Sequence, residues 1–329
     1  MDYTKCHCLE KFQINRFFLI FIWISFPLYL EGYHLYRVTQ AGAYTIAVLG
    51  LCLLIGTTGQ ISVGHSAFFA LGAYMTAISV LKFGIPIYVS IWIGALGGLL
   101  LGFLFGWPAL RLSSVNLLLA TWALAIVTPK VLNLSYFESW TGGSSGLYID
   151  EINVPFDLNI SNDEWWHIVT LIYIVVVLLI SHNLRFGRIN RALVAVRDNP
   201  IAAETMGISA NFYKTIIFGL SAAVVSVAGG LTTALTDFVS PQTYDLYFAI
   251  ILVFGVFISG SNGTITAFLG GFLIEFLPDI AFAVSDNLAS PQVFYGFLLL
   301  LLVYMLPEGL RGLLLRIEKI LNMYFRKFR

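Results

Sequence analysis

Apolar residues come in runs close to twenty long, and short polar breaks separate one run from the next along the whole chain. The runs are continuously apolar, without the strict alternation of a half-buried strand. A helix of about 20 residues crosses the ~30 Å hydrocarbon core of a bilayer, so each run reads as a membrane-spanning helix. Ten spans are predicted, at 17–30, 41–56, 61–81, 86–106, 115–132, 165–181, 213–235, 246–259, 263–283 and 291–306. The first is short, with Arg16 and Glu31 placed to snorkel from its ends. A transmembrane barrel would need alternating strands, so the fold class is all-α, a polytopic helical membrane protein.

Composition agrees. The chain is 58% hydrophobic and only 11% charged, with a mean hydropathy of +0.85, whereas soluble domains carry about 25% charged residues. No Pro/Ser-rich linker or soluble-length insert divides it, and 1–329 reads as one transmembrane domain. Within it lie a loop at 185–214, another at 133–164 and a tail at 307–329. Charge placement orients these. The 133–164 loop holds six acidic residues and no Lys or Arg, whereas Arg185, Arg188, Arg191, Arg197 and Lys214 crowd 185–214. With both termini inside, fifteen of the eighteen basic residues fall on the cytoplasmic side, as the positive-inside rule requires. Arg37 and Lys82 then lie outside, Lys130 lies within a span, and Trp140, Tyr148, Trp165 and Trp166 sit at outer interfaces.

A net charge of zero gives no general attraction for nucleic acid. Lys5, Lys11 and Arg16 precede an apolar run, but no small-residue cleavage site follows, so the first span is expected to be retained. Cys6, Cys8 and Cys52 make no disulfide framework, and Cys6-His7-Cys8 lacks a second cluster to complete a metal site. No metal or cofactor is expected.

Four stretches break the apolar pattern. Gly187–Ile208 is short, basic and amphipathic: Arg188, Arg191 and Asp198 fall on one side of a helix, Ile189, Leu193 and Val196 on another. Asn199-Pro200 reads as an N-cap followed by proline at the first helical position, and Gly207 can end the second helix. Small residues (Ala192, Ala195, Ala202, Ala203, Gly207) permit close approach by a partner; the alternative is a loop lying on the membrane surface. In the second stretch, Gln60, Ser62, His65 and Ser66 open an otherwise apolar span, with Gly64 and Gly72 beside them. Polar groups at membrane depth either line a pathway or hold helices together. The third, Thr141-Gly142-Gly143-Ser144-Ser145-Gly146, is a carboxylate-binding or simply flexible turn without the lysine of a phosphate loop. In the fourth, Gly260–Thr264 leads to Glu275, the acid placed deepest in a span, for which Lys130 is the nearest basic counterpart in kind. No nucleotide-binding loop, helical metal-ligand pair or supported nucleophile is present, so uphill transport would need an ion gradient or another subunit.

Together these residues resemble the permease subunits of bacterial ABC importers for branched-chain amino acids, the longer of that family's two permease types. The matching blocks are Gly59–Tyr74, Arg111-Leu112, Thr141-Gly142-Gly143 with Gly146-Leu147, the loop markers Gly187, Arg191, Ala195, Arg197, Ala202-Ala203-Glu204 and Gly207, then Ser240-Pro241 and Pro307-Glu308-Gly309-Leu310. The resemblance covers roughly 40–315, with the motifs in order. It implies a multi-pass protein of the bacterial inner membrane working with an identical or different second permease, two cytoplasmic ATPases and an extracytoplasmic binding protein. In that family the ATPases act on the 187–208 loop as they dimerise, and amino acid crosses between the two permeases. Gln60, Ser62, Gly64, His65, Ser66 and Gly72 would then line the pathway, with Glu275 a secondary candidate. The competing readings are a urea or short-amide importer of the same class and a stand-alone ion-coupled carrier.

Overall fold

The computed structural model describes residues 26–110, 114–150, 160–260 and 266–284, with Trp23 and residues 296, 297, 300, 301 and 304. Most of the predicted first span, the predicted tenth span, the tail, Cys6-His7-Cys8 and Arg111-Leu112 lie outside the described residues. The other eight predicted spans are helices: α1 (Tyr33–Thr58), α2 (His65–Phe83), α3 (Ile87–Ala109), α4 (Ser114–Leu132), α6 (Asn162–Phe186), α9 (Ala210–Thr236), α10 (Leu246–Ser259) and α11 (Thr266–Val284). Short helices α5 (Glu138–Thr141), α7 (Arg188–Asp198) and α8 (Pro200–Thr205) lie between them. Among the described residues α1, α2, α3, α6 and α9 are long and apolar enough to cross a membrane. The chain is a helical membrane protein.

Several boundaries shift by a few residues, and two of the shifts have a clear physical reason. Helix α1 starts at Tyr33 rather than 41, so Arg37, expected in a loop, stands one turn inside it. Polar side chains there are tolerated because Arg37 and Thr39 find partners in other helices. Helix α2 starts at His65 rather than 61, because Gly59–Gly64 is a non-helical corner with its own polar contacts.

The two longest helices, α1 and α9, run through the centre and are buried over most of their length, while α3 and α6 turn much of their surface outward. Small residues let the backbones approach. Lipid tails are as apolar as leucine, so helix association in a bilayer rests on close van der Waals contact rather than on exclusion of water. Gly94, Gly98, Gly102 and Gly106, one every fourth residue, form a ridge on α3 that packs on α2 and α9: a Cβ at Gly102 would stand 2.6 Å from the Ala222 Cβ, and one at Gly94 2.9 Å from the Gly72 carbonyl oxygen. A Cβ at Gly72 would overlap the Ser226 backbone, and one at Gly229 the Phe69 carbonyl. Ser226 Oγ donates to the Phe68 carbonyl at 2.7 Å, so the crossing of α2 and α9 is both tight and polar.

Most of one large apolar core joins α1, α2, α6, α9, α10 and α11. A smaller one joins Leu53 and Leu54 of α1, Phe68 of α2, Leu117 of α4, Leu193 of α7 and Phe218 of α9. Away from the helices, β1 (Leu147–Tyr148) pairs antiparallel with β2 (Phe238–Val239), Leu147 facing Val239.

Candidate coupling and translocation site

The 187–208 loop folds as its residues dictate. Gly187 leaves α6 extended, and a Cβ on it would lie 2.8 Å from the Asn183 carbonyl oxygen. Ala192, Leu193 and Val196 bury one face of α7, leaving Arg188, Arg191, Val194, Arg197 and Asp198 exposed. Asn199 then caps α8, its Oδ1 accepting from the Ala202 N–H at 3.1 Å, with Pro200 at the first helical position. Val196, Ala203 and Ala210 pack together with Ala195 and Ile208 at their edge, which ties α7, α8 and the start of α9 into one unit. Gly207, at φ +79°, reverses the chain; the Ile208 N–H reaches the Ala203 carbonyl at 3.0 Å and closes the helix end. Ala202 and Glu204 are exposed, as are Ile201 (77%) and Met206 (81%), an apolar pair that the fold leaves bare.

The corner between α1 and α2 is buried. Gln60, Ser62, His65 and Ser66 are each at most 6% exposed, within this one chain. Ser221 Oγ donates to the Gly50 carbonyl at 2.7 Å, which uses its single proton. It must therefore accept from His65 Nε2 at 2.9 Å, leaving Nδ1 of the neutral ring to accept from Ser62 Oγ at 2.9 Å. Both ring nitrogens are committed, and His65 clamps α2 to α9 and, through Ser221, to α1. Val63 N–H donates to Thr121 Oγ1 of α4 at 3.3 Å, where the missing side chain of Gly64 lets the Thr121 carbonyl approach. Among the described residues Gln60 Oε1 and Ser66 Oγ have no hydrogen-bond partner. His65→Ala is expected to destabilise the purified chain by about 1–3 kcal/mol, since it leaves buried hydroxyls short of a partner. A thermal melt in detergent checks this.

The glycine turn after α5 is a closed structure. Thr141 Oγ1 donates to the Leu132 carbonyl at 2.7 Å, and the N–H groups of Gly142, Gly143, Ser145 and Gly146 all donate within the turn. Gly146 has φ +74°, and a Cβ on it would overlap the Val239 carbonyl, so the turn is seated on β2.

Glu275 is paired with Arg37. Arg37 Nε donates to its carboxylate, Nη2 to its backbone carbonyl at 2.8 Å, and Nη1 to Asp279 Oδ2 at 2.5 Å and Tyr33 OH at 3.2 Å. The guanidinium also lies over the Phe276 ring, 4.9 Å from its centroid. Arg37 was expected in an outer loop; the helix start at Tyr33 brings it onto α1 beside α11.

Residues 33–306 match the family described as the permease component of branched-chain amino acid transport systems. The chain is 26% identical over 317 residues to the high-affinity branched-chain amino acid transport permease LivM of Salmonella typhimurium, covering 89% of this chain and 73% of that one. LivM of Escherichia coli matches to the same extent. A protein from Methanocaldococcus jannaschii described as a probable branched-chain amino acid transport permease, LivH, is 28% identical over 300 residues, covering 86% and 91%. Among solved structures, PsaBC from Streptococcus pneumoniae in complex with Fab aligns with a TM-score of 0.44 at 15% identity over 90% of this chain and 99% of that one, a likeness too slight to bear on the assignment. With its helical membrane fold and a family match across most of its length, the chain belongs to the family of permease components of branched-chain amino acid transport systems.

Proposed function

We propose that this chain is one of two permease subunits in an ATP-driven importer of the bacterial inner membrane, carrying branched-chain or related hydrophobic amino acids. It would span the membrane ten times with both termini cytoplasmic, beside an identical or different second permease that supplies the other wall of the pathway. Two cytoplasmic ATPases and an extracytoplasmic binding protein complete the assembly. Family membership favours this over a self-contained ion-coupled carrier. The observation that carries the coupling role is the α7–α8 unit, which is anchored by Leu193, Val196 and Ala203 yet holds Arg191, Val194, Ile201, Glu204 and Met206 outward. An apolar patch rimmed by charge, on a compact element between two long helices, is suited to bear on a partner.

Gly207→Pro tests it. Proline cannot adopt φ +79°, and the change removes the Gly207 N–H that donates to the Glu204 carbonyl at 3.0 Å. The α8–α9 joint should then lose its shape. In a complex reconstituted with its ATPases and binding protein, uptake should fall by at least about tenfold while hydrolysis persists, equivalent to roughly 1.4 kcal/mol of lost coupling. Wild-type uptake in this variant would count against the assignment.

A further inference from the structure

We propose that Arg197, although open to solvent, is a positioning residue that joins the α7–α8 loop to the corner between α1 and α2, its guanidinium bonded to the end of α1 rather than to a nucleotide-consuming partner. This rests on the reading of the loop as the element on which the ATPases act. The last turn of a helix leaves carbonyl oxygens without intrahelical partners and carries partial negative charge, which a cation satisfies on both counts. Arg197 Nη1 donates to the Gly56 carbonyl of that last turn at 3.2 Å. Its side chain runs beside Gly59, where a Cβ would stand 3.9 Å from Nε and 4.0 Å from Cδ. One turn earlier on α7, Leu193 packs in the same core as Leu53 and Leu54 of α1 and Phe68 of α2.

The two contacts do different things. An apolar contact such as that of Leu193 has no directional preference and permits α7 to roll over α1. A hydrogen bond to a fixed carbonyl holds one register, because it weakens steeply when misaligned. With both in place, a displacement of α7 carries the end of α1 and the following Gly59–Gly64 corner with it. That corner is itself tied to α4 through Val63 and Thr121 and to α9 through His65 and Ser221. Arg197 therefore stands where movement of the loop enters the helices that meet at the corner. Without it, the loop can pivot on Leu193 and leave α1 behind.

The experiment uses the complete importer, with its ATPases and binding protein, in lipid vesicles, and reads solute transported per ATP hydrolysed. For Arg197→Ala we expect a complex that copurifies in wild-type stoichiometry but transports about three- to tenfold less solute per ATP, the scale of one solvent-accessible hydrogen bond. Arg197→Lys should recover part of that ratio, because an ammonium still satisfies the helix end but lacks the reach of the planar fork. The Lys variant also keeps the test alive should Arg197→Ala fold poorly. Loss of ATPase copurification in Arg197→Ala would mean that the side chain faces the partner, and a wild-type ratio in both variants would mean that the link transmits nothing; either overturns the proposal. Ile201→Asp, on the exposed face, separates this from the underlying reading. If Ile201→Asp assembles and transports normally, the loop is not the ATPase contact at all, whatever Arg197 does.

Discussion

Arg37→Met should lower the stability of the purified chain by about 3 kcal/mol, toward the low end for a broken buried ion pair because one partner is half open to solvent. The side chains of Arg37 and Glu275 are 14% and 12% exposed, while that of Asp279 is 56% exposed. Removing the guanidinium strands the Glu275 carboxylate in a poorly hydrated position and lets α1 and α11 part at this end. Methionine preserves much of the stem and its contact with Phe276, so the loss reports the charge rather than the packing. The double variant Arg37→Met/Glu275→Met should regain most of the stability, since replacing both partners by apolar groups leaves no buried charge without a counterion. Thermal melts of the wild type, both single variants and the double variant in one detergent measure the coupling. If Arg37→Met melts with the wild type, the cluster is a loose surface contact.

The second large effect is expected from a single methyl group. Gly72→Ala puts a Cβ into the backbone of Ser226, which cannot swing aside because it belongs to the middle of α9. The helices must separate, and the Ser226 to Phe68 hydrogen bond must lengthen with them. We expect a loss of about 3 kcal/mol or more, at the upper end for overpacking a filled interior. Gly97→Ala is the matched control. There the Cβ clashes with the flexible end of Met75 and meets Leu71 at ordinary contact distance, and alanine adds helix propensity, so stability should change by less than about 1 kcal/mol. Yield in the membrane fraction and melting temperature read both variants side by side.

The difference between these glycines marks what a sequence can show. Gly94, Gly98, Gly102 and Gly106 announce a helix face by their spacing alone. Gly72 and Gly97 look alike in the chain, and only the neighbour across the gap, backbone in one case and a methionine tip in the other, tells them apart. The capped loop was legible for the opposite reason. Asn199-Pro200 and Gly207 act on their own backbone within a few residues, so the helix, the break and the second helix follow from local chemistry. The family resemblance was legible too, and the family match over 33–306 bears it out.

The pairs were not legible. His65 was readable as a buried polar group, but Ser221, 156 residues away, is what occupies its Nε2. Glu275 stood out as an acid in an apolar run, yet nothing local showed that its counterion is Arg37, 238 residues earlier. Arg197 was readable as a cation in a basic loop, and only the packed structure aims it at Gly56.

By itself the chain's order of residues determined that this is a helical membrane protein, roughly where eight of its helices run, and how the basic loop turns and caps itself. Those properties depend on hydrophobic length and on contacts within a few residues, both of which are written in the local sequence. Tertiary structure decided which helices touch, which polar groups satisfy one another, and that the helix start at Tyr33 brings Arg37 into the bundle. In a bilayer nearly every outward surface is equally apolar, so partner choice falls to backbone fit and to polar groups far apart in the chain.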